Sequence, residues 1–138
     1  MMHIEKILRQ YDFIEFALIF GSYASNKYTL LSDIDIAIYT KEQIDIFTQG
    51  EIIATLNDKL DKRIDLVVLN DLYKKDSKLS YNILQSHKII FNDSSEKYNN
   101  FKVNSLKYYF DMEYTYNMFN KALSKRLKDG TYGKTKAS

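Results

Sequence analysis

Two short stretches of this sequence contain residues whose types and spacing suit phosphate chemistry. Gly21 and Ser22 follow an apolar run, and Asp33 and Asp35 come after ten intervening residues. Strand side chains alternate between faces, so both aspartates lie on one face if residues 34–39 form a strand. Two carboxylates this close repel each other unless a cation lies between them, and Mg²⁺ prefers carboxylate oxygens as ligands.

Asp65 supplies a third carboxylate, in a further predicted strand over residues 63–69. If this strand neighbours that of the aspartate pair, the three carboxylates can bind two metal ions that hold the attacking and leaving oxygens of a phosphoryl transfer. A glycine lets the backbone approach a phosphate closely, and the N–H groups and hydroxyl of the turn after it are donors for that phosphate. We therefore predict that Gly21 and Ser22 bind the terminal phosphates of a substrate and that the three aspartates bind metal.

The pattern of apolar side chains predicts the elements that position these residues. Helical spacing predicts a helix over 2–11, a single turn over 23–26, a helix over 42–61 and another in the second part of 71–87. Apolar runs predict strands over 16–20, 34–39, 63–69 and 88–91. This order predicts an α/β (α+β) domain, with helices packed on one small mixed sheet.

A long helix is predicted from Asp93 to about residue 128, because nothing in that stretch breaks a helix. Asp93 and Glu96 have the spacing of a capping box. At 1.5 Å per residue this helix would span roughly 50 Å, so part of it must project from the core, kink or pack on another chain. Eight of the chain's 20 aromatic residues lie on it, and we expect Phe101 and Phe110 to pack on the sheet. The chain thus divides into a core over 1–92, a helix over 93–128 and a basic, flexible tail over 129–138.

Composition narrows the class of protein. The chain has no cysteine, which excludes thiolate catalysis and cysteine-based zinc sites. The chain contains no run of 18 apolar residues, so no membrane span is predicted and a cytoplasmic location is expected. Residues 121–138 carry six basic residues and one acidic residue, but only three of the 20 basic residues are arginine. Because arginine is the residue that reads phosphates bidentately, we expect no direct binding of nucleic acid.

The spacing Gly-Ser, ten residues, Asp-x-Asp resembles the signature of the nucleotidyltransferase superfamily related to DNA polymerase β. The stretches LIFGSYAS, SDIDIAIY, RIDLVVLN and ILQSHKIIF look like those of minimal nucleotidyltransferases, and the likeness covers about residues 1–92. Within that superfamily, the chain most resembles the minimal nucleotidyltransferase (MNT) antitoxins of HEPN/MNT toxin–antitoxin modules.

The resemblance implies a polymerase β-like fold and a specific reaction. Antitoxins of this kind transfer AMP from ATP to a tyrosine of a partner HEPN toxin and thereby silence its RNase activity. By motif position, Gly21 and Ser22 correspond to the phosphate-binding pair, and Asp33 and Asp35 to a pair that binds Mg²⁺. Asp65 corresponds to the third carboxylate, which in related enzymes binds metal and can act as the base for the incoming hydroxyl.

Two positions depart from the pattern of many family members. Asn26 stands where a glycine is common, which is a mild change because asparagine tolerates left-handed backbone angles. Tyr23 stands where a basic residue is common, so one phosphate contact is left to Lys27 or Arg63.

Two other functions are compatible with the sequence. One is an antitoxin that works mainly by binding its toxin and has vestigial catalysis. The other is a nucleotidyltransferase for small molecules such as aminoglycosides. The chain is little more than a catalytic core and one helix, and a partner protein that is itself the substrate best explains how the acceptor is held.

Overall fold

A computed structural model describes residues 2–128 of the chain. Its sheet contains β1 (Ile14–Phe20), β2 (Ile34–Thr40), β3 (Ile64–Val68) and β4 (His87–Asn92) in the order β3-β2-β1-β4. β1 is antiparallel to both of its neighbours, β2 and β4, whereas β2 and β3 are parallel. The predicted mixed sheet is confirmed, and the strand of Asp65 lies beside that of Asp33 and Asp35.

The helices are α1 (Met2–Leu8), α2 (Ile46–Leu60), α3 (Leu72–Lys75), α4 (Ser77–Gln85) and α5 (Ser95–Lys128), and a short 3-10 turn covers Gly21–Tyr23. α2 begins four residues later than predicted, because Asp45 Oδ1 accepts a hydrogen bond from Thr48 N at 2.8 Å and caps the helix there. Asp76 Oδ1 caps α4 in the same way, accepting from Leu79 N at 3.1 Å.

Helices cover both faces of the sheet. Ile36 and Ile38 of β2 face the core formed with α1 and α2, together with Ile4, Leu8, Ile19, Ile52 and Leu56. Ala37 faces the second core, which also contains Phe16, Leu18, Ile83 and Phe101. β2 therefore lies in the centre of the sheet, with apolar side chains against both layers, and Asp35 shares the face of Ala37.

α5 packs on the core only with its first half. Phe101 is 2% exposed, and its ring centroid lies 6.1 Å from that of Phe16. Ser105 is buried and its hydroxyl hydrogen-bonds that of Ser80 on α4 at 2.6 Å. Phe110, in contrast, is 54% exposed, so the prediction that it packs on the sheet is wrong. The helix has moved from the sheet onto α4 by this point, where Phe110 contacts Tyr81.

The second half of α5 projects from the core, which is one of the three outcomes that its length allowed. From Asp111 to Lys128 every side chain is exposed except that of Leu123, which is half-buried. None of the helices between Met2 and Lys128 has the length and apolar character of a membrane-spanning segment. The tail predicted over 129–138 lies outside the described residues.

The start of α5 also differs from the prediction. Ser94 Oγ accepts a hydrogen bond from Lys97 N at 3.3 Å, so Ser94 and not Asp93 caps the helix. Asp93 instead pairs with Arg9, the residue directly after α1, with Oδ2 2.9 Å from Arg9 Nη1. This ion pair ties α1 to the connection between β4 and α5.

Candidate active site

The register of the sheet brings the Gly-Ser turn and the aspartates to one end of β2. Asp35 is paired with Phe20, the last residue of β1, on one side and with Asp65 of β3 on the other. Ile34 and Ile36 on either side of Asp35 are buried on the opposite face. A slip of one residue would turn these isoleucines out of the core, so their burial fixes the position of Asp35.

Gly21 lies directly against the carboxylate of Asp35. A Cβ atom added to Gly21 would overlap Asp35 Oδ2, and the backbone of Gly21 has a φ of +70°, which L side chains rarely adopt. Glycine is therefore required at this position for two reasons, its backbone conformation and its lack of a side chain. The turn is closed by Ala24 N and Ser25 N, which both donate to Gly21 O, at 3.1 and 3.2 Å.

The carboxylates at this end of the sheet interact with one another. Burial, together with the nearby charge of Asp65, a hydrogen bond with Asp65 and the charge of Asp33, raises the pKa of Asp35 from 3.8 to about 6. Each of these causes disfavours the ionised form of Asp35 in the free protein. A cation bound between the carboxylates would remove the repulsion and restore the ionised form.

Carboxylate oxygens are the donors that this site offers to a metal ion. Within residues 2–128 no group of three or more His, Cys, Asp or Glu side chains is arranged as a metal-binding cluster. Asp33 is turned to Arg63 instead, with 3.9 Å between Asp33 Oδ2 and Arg63 Nε. The donors that are present, adjacent carboxylates that repel each other, match the chemistry of a hard divalent cation. The metal and catalytic roles of Asp33, Asp35 and Asp65 remain predictions.

The surroundings of the turn contain a contact that the sequence did not reveal. Lys88, at the start of β4, donates from Nζ to Asn26 Oδ1 at 2.9 Å. Asn26 has a φ of 60°, in line with the tolerance expected of asparagine at this position. The ring of Tyr23 stacks on Tyr28, with 4.4 Å between centroids. Lys88 reaches the turn because β4 pairs with β1, a strand order that apolar runs alone do not specify.

The structure places a glycine turn at the end of a buried strand, beside carboxylates on the next two strands, which is the arrangement predicted for a nucleotidyltransferase site. The polymerase beta, nucleotidyltransferase family model matches residues 2–96, and the chain belongs to this family. Its polymerase β-like fold is thereby confirmed. No curated protein matches the chain.

Solved structures of toxin–antitoxin complexes are similar to the chain. A complex with AMP-PNP superposes with a TM-score of 0.74 at 23% identity, over 88% of this chain and 95% of the other. A complex of the tri-AMPylated Shewanella oneidensis HEPN toxin with its MNT antitoxin gives 0.69 at 22% identity, over 89% and 94%. An MntA–HepT complex gives 0.67 at 20% identity, over 90% and 99%. At these identities the likeness establishes a shared fold that extends into α5.

Proposed function

We propose that this chain is an antitoxin that transfers AMP from ATP to a tyrosine of a HEPN-type RNase toxin and so neutralises it. The observation that carries the proposal is the contact of Gly21 with Asp35, with Asp65 on the next strand. It joins a phosphate-binding turn to a carboxylate site. The similar solved complexes support the choice of nucleotide and acceptor, since one contains AMP-PNP and another an AMPylated HEPN toxin.

Each predicted site residue has a role in this reaction. The turn of Gly21 and Ser22 holds the phosphates of ATP through its backbone N–H groups and the serine hydroxyl. Asp33, Asp35 and Asp65 are the residues that would hold Mg²⁺, which when bound stabilises negative charge on the phosphoryl group in transfer. The tyrosine oxygen attacks the α-phosphorus, its proton passes to the carboxylate of Asp65, and pyrophosphate leaves.

The projecting half of α5 favours a protein as the acceptor. It exposes large side chains, each more than half accessible, namely Tyr114, Tyr116, Met118, Phe119 and Leu127. Contiguous exposed apolar side chains mark protein interaction sites, and tyrosine, phenylalanine and methionine are enriched in such interfaces. A small-molecule acceptor gives no reason for this surface. The same exposed surface also supports the alternative in which the antitoxin neutralises its toxin mainly by binding it.

The proposal is tested by removing the paired carboxylates. Asp33→Asn combined with Asp35→Asn is expected to abolish transfer of label from α-labelled ATP to the toxin while the circular dichroism spectrum stays native. Asp12→Asn combined with Asp58→Asn is the control, since it removes two exposed carboxylates outside the candidate site: Asp12 precedes β1, at the opposite end of that strand from the turn, and Asp58 lies on α2. Undiminished transfer by the Asp33/Asp35 variant would refute the mechanism.

The same variants separate the alternatives. If neutralisation of the toxin in cells persists when transfer is lost, the antitoxin acts mainly by binding. If the wild-type chain labels an aminoglycoside in the absence of any protein partner, its acceptor is a small molecule.

A further inference from the structure

The strand order gives the candidate site two distinct sides. The Gly21 turn follows β1, Asp35 lies on β2 and Asp65 lies on β3, in the order β3-β2-β1. Adjacent strands are about 4.8 Å apart, so the turn and Asp65 are roughly 10 Å apart across the sheet. In an in-line displacement the attacking and leaving oxygens lie on opposite sides of the phosphorus. Pyrophosphate held at the turn therefore leaves on the β1 side, and the acceptor enters on the β3 side.

Arg63 lies on this entry side. It precedes β3 by one residue and Asp65 by two, so its side chain shares the face of Asp65, about 7 Å along the strand. A hydrogen bond of 2.9 Å from Ile34 N to Arg63 O holds its backbone against β2. The backbone of Arg63 is therefore fixed beside the position where an acceptor must enter.

The guanidinium of Arg63 is held only loosely. Its Nε lies 3.9 Å from Asp33 Oδ2, and the side chain of Arg63 is 77% exposed. Exposed ion pairs of this kind contribute little and are readily exchanged. Lys62, the neighbouring cation, is engaged elsewhere, since its Nζ donates to Leu30 O at 3.0 Å. Arg63 can thus turn from Asp33 to an incoming anion when Asp33 binds another cation.

In the first transfer the acceptor is a tyrosine, whose neutral hydroxyl offers Arg63 no anion to bind. An acceptor that already carries AMP brings a phosphodiester into the entry side. One similar complex contains a toxin with three AMP units, so repeated transfer has occurred on that toxin. We propose that Arg63 binds the phosphodiester of an acceptor that already carries AMP and so favours the second and later transfers over the first. This inference rests on the proposed function.

The later transfers follow the chemistry of the first. A ribose hydroxyl of the attached AMP attacks the α-phosphorus of a new ATP, and its proton passes to Asp65. The bond from the α-phosphorus to the bridging oxygen breaks, and pyrophosphate leaves. Arg63 takes no part in bond making, and its guanidinium binds the phosphodiester oxygens with charge-assisted hydrogen bonds.

The test compares first and second transfers in one chain. Unmodified and purified mono-AMPylated toxin are each incubated with ATP and Mg²⁺, and rates are read from intact masses. In Arg63→Gln the ratio of the second rate to the first is expected to fall about tenfold, as for the loss of a hydrogen bond to a charged group. Without ATP, the preference of the chain for mono-AMPylated over unmodified toxin should fall by a similar factor in a binding titration.

Lys62→Gln is the matched control, because it removes the same charge from the adjacent residue and should leave the ratio within about twofold of the wild type. A ratio unchanged in Arg63→Gln would overturn the proposal, and so would equal slowing of both transfers, which would assign Arg63 to ATP or to Asp33. If the wild-type chain transfers no AMP at all, the proposed function itself fails, a result distinct from any effect of Arg63→Gln.

Discussion

Asp35 is expected to reduce the stability of the fold at neutral pH, because its ionised carboxylate is partly buried and lies near those of Asp65 and Asp33. Its pKa rises from 3.8 to about 6 on folding. A carboxyl group with a raised pKa in the fold contributes stability that is complete below the unfolded pKa and is lost as the pH rises through the folded pKa. We predict that Asp35→Asn raises the free energy of unfolding at about pH 7.5, and that this gain shrinks as the pH falls towards 4.

The size of the gain follows from the shift. One pKa unit corresponds to 1.36 kcal/mol, so a shift of about two units gives an upper limit of about 3 kcal/mol. Asp35 is only half-buried, and solvent screening reduces the expected gain to about 1 kcal/mol. For a chain of this size, such a gain raises the midpoint of thermal unfolding by about 4 °C.

Urea denaturation followed by circular dichroism, with a chelator present and at two pH values, measures this effect. Asp12→Asn is the control, since it removes an exposed carboxylate between α1 and β1 and should change the free energy of unfolding by less than about 0.5 kcal/mol. A gain of the same size at pH 7.5 and pH 4, or no gain at either, would show that repulsion at the site does not act on Asp35. The variant should be more stable and inactive together, as is common for groups kept for function.

Three further predictions concern the turn and α5. Gly21→Ala should lose AMP transfer and destabilise the fold by about 2 kcal/mol, because it adds a Cβ at positive φ against a carboxylate. Gly50→Ala in α2, with nothing within 4 Å of the added atom, should instead stabilise by about 0.5–1 kcal/mol. Equal effects of the two changes on the thermal midpoint would contradict this reasoning. Ser80→Ala and Ser105→Ala should each lower the free energy of unfolding by about 1 kcal/mol. The double variant should lose little more than either single variant, in a double-mutant cycle measured by urea denaturation. Additive costs would mean that the buried hydroxyls are not coupled. Truncation after Met112 should leave the thermal midpoint nearly unchanged and weaken binding of the toxin in a pull-down titration. Unfolding on truncation would show that the projecting half supports the core.

The central strands could be predicted from the sequence because they are buried on both faces. β1 appears as the continuous apolar run FALIF, and β2 shows its aspartates between buried isoleucines. The period of two in a strand placed Asp33 and Asp35 on one face without knowledge of the fold. The glycine at position 21 was predicted for phosphate approach, and the structure adds a second requirement, the closeness of Asp35.

Features that depend on tertiary contacts could not be predicted in this way. Phe110 is exposed because α5 has passed from the sheet onto α4 by this point, and the aromatic content of a helix does not report where it leaves the sheet. The start of α2 depends on a single cap at Asp45, whose signal is weak beside the helical spacing that follows it. From the sequence, either Lys27 or Arg63 could supply the phosphate contact that Tyr23 cannot make. Only the pairing of β2 with β3 placed Arg63 beside Asp33. The contact of Lys88 with Asn26 could not be predicted, because strand order is not encoded in local pattern.

The most direct test of the account is the intact mass of the HEPN toxin after incubation with this chain, ATP and Mg²⁺. The account predicts an increase by one or more AMP units, mapped to a tyrosine by peptide sequencing and abolished by Asp33→Asn with Asp35→Asn. A toxin that keeps its unmodified mass while the chain binds and neutralises it would contradict the account.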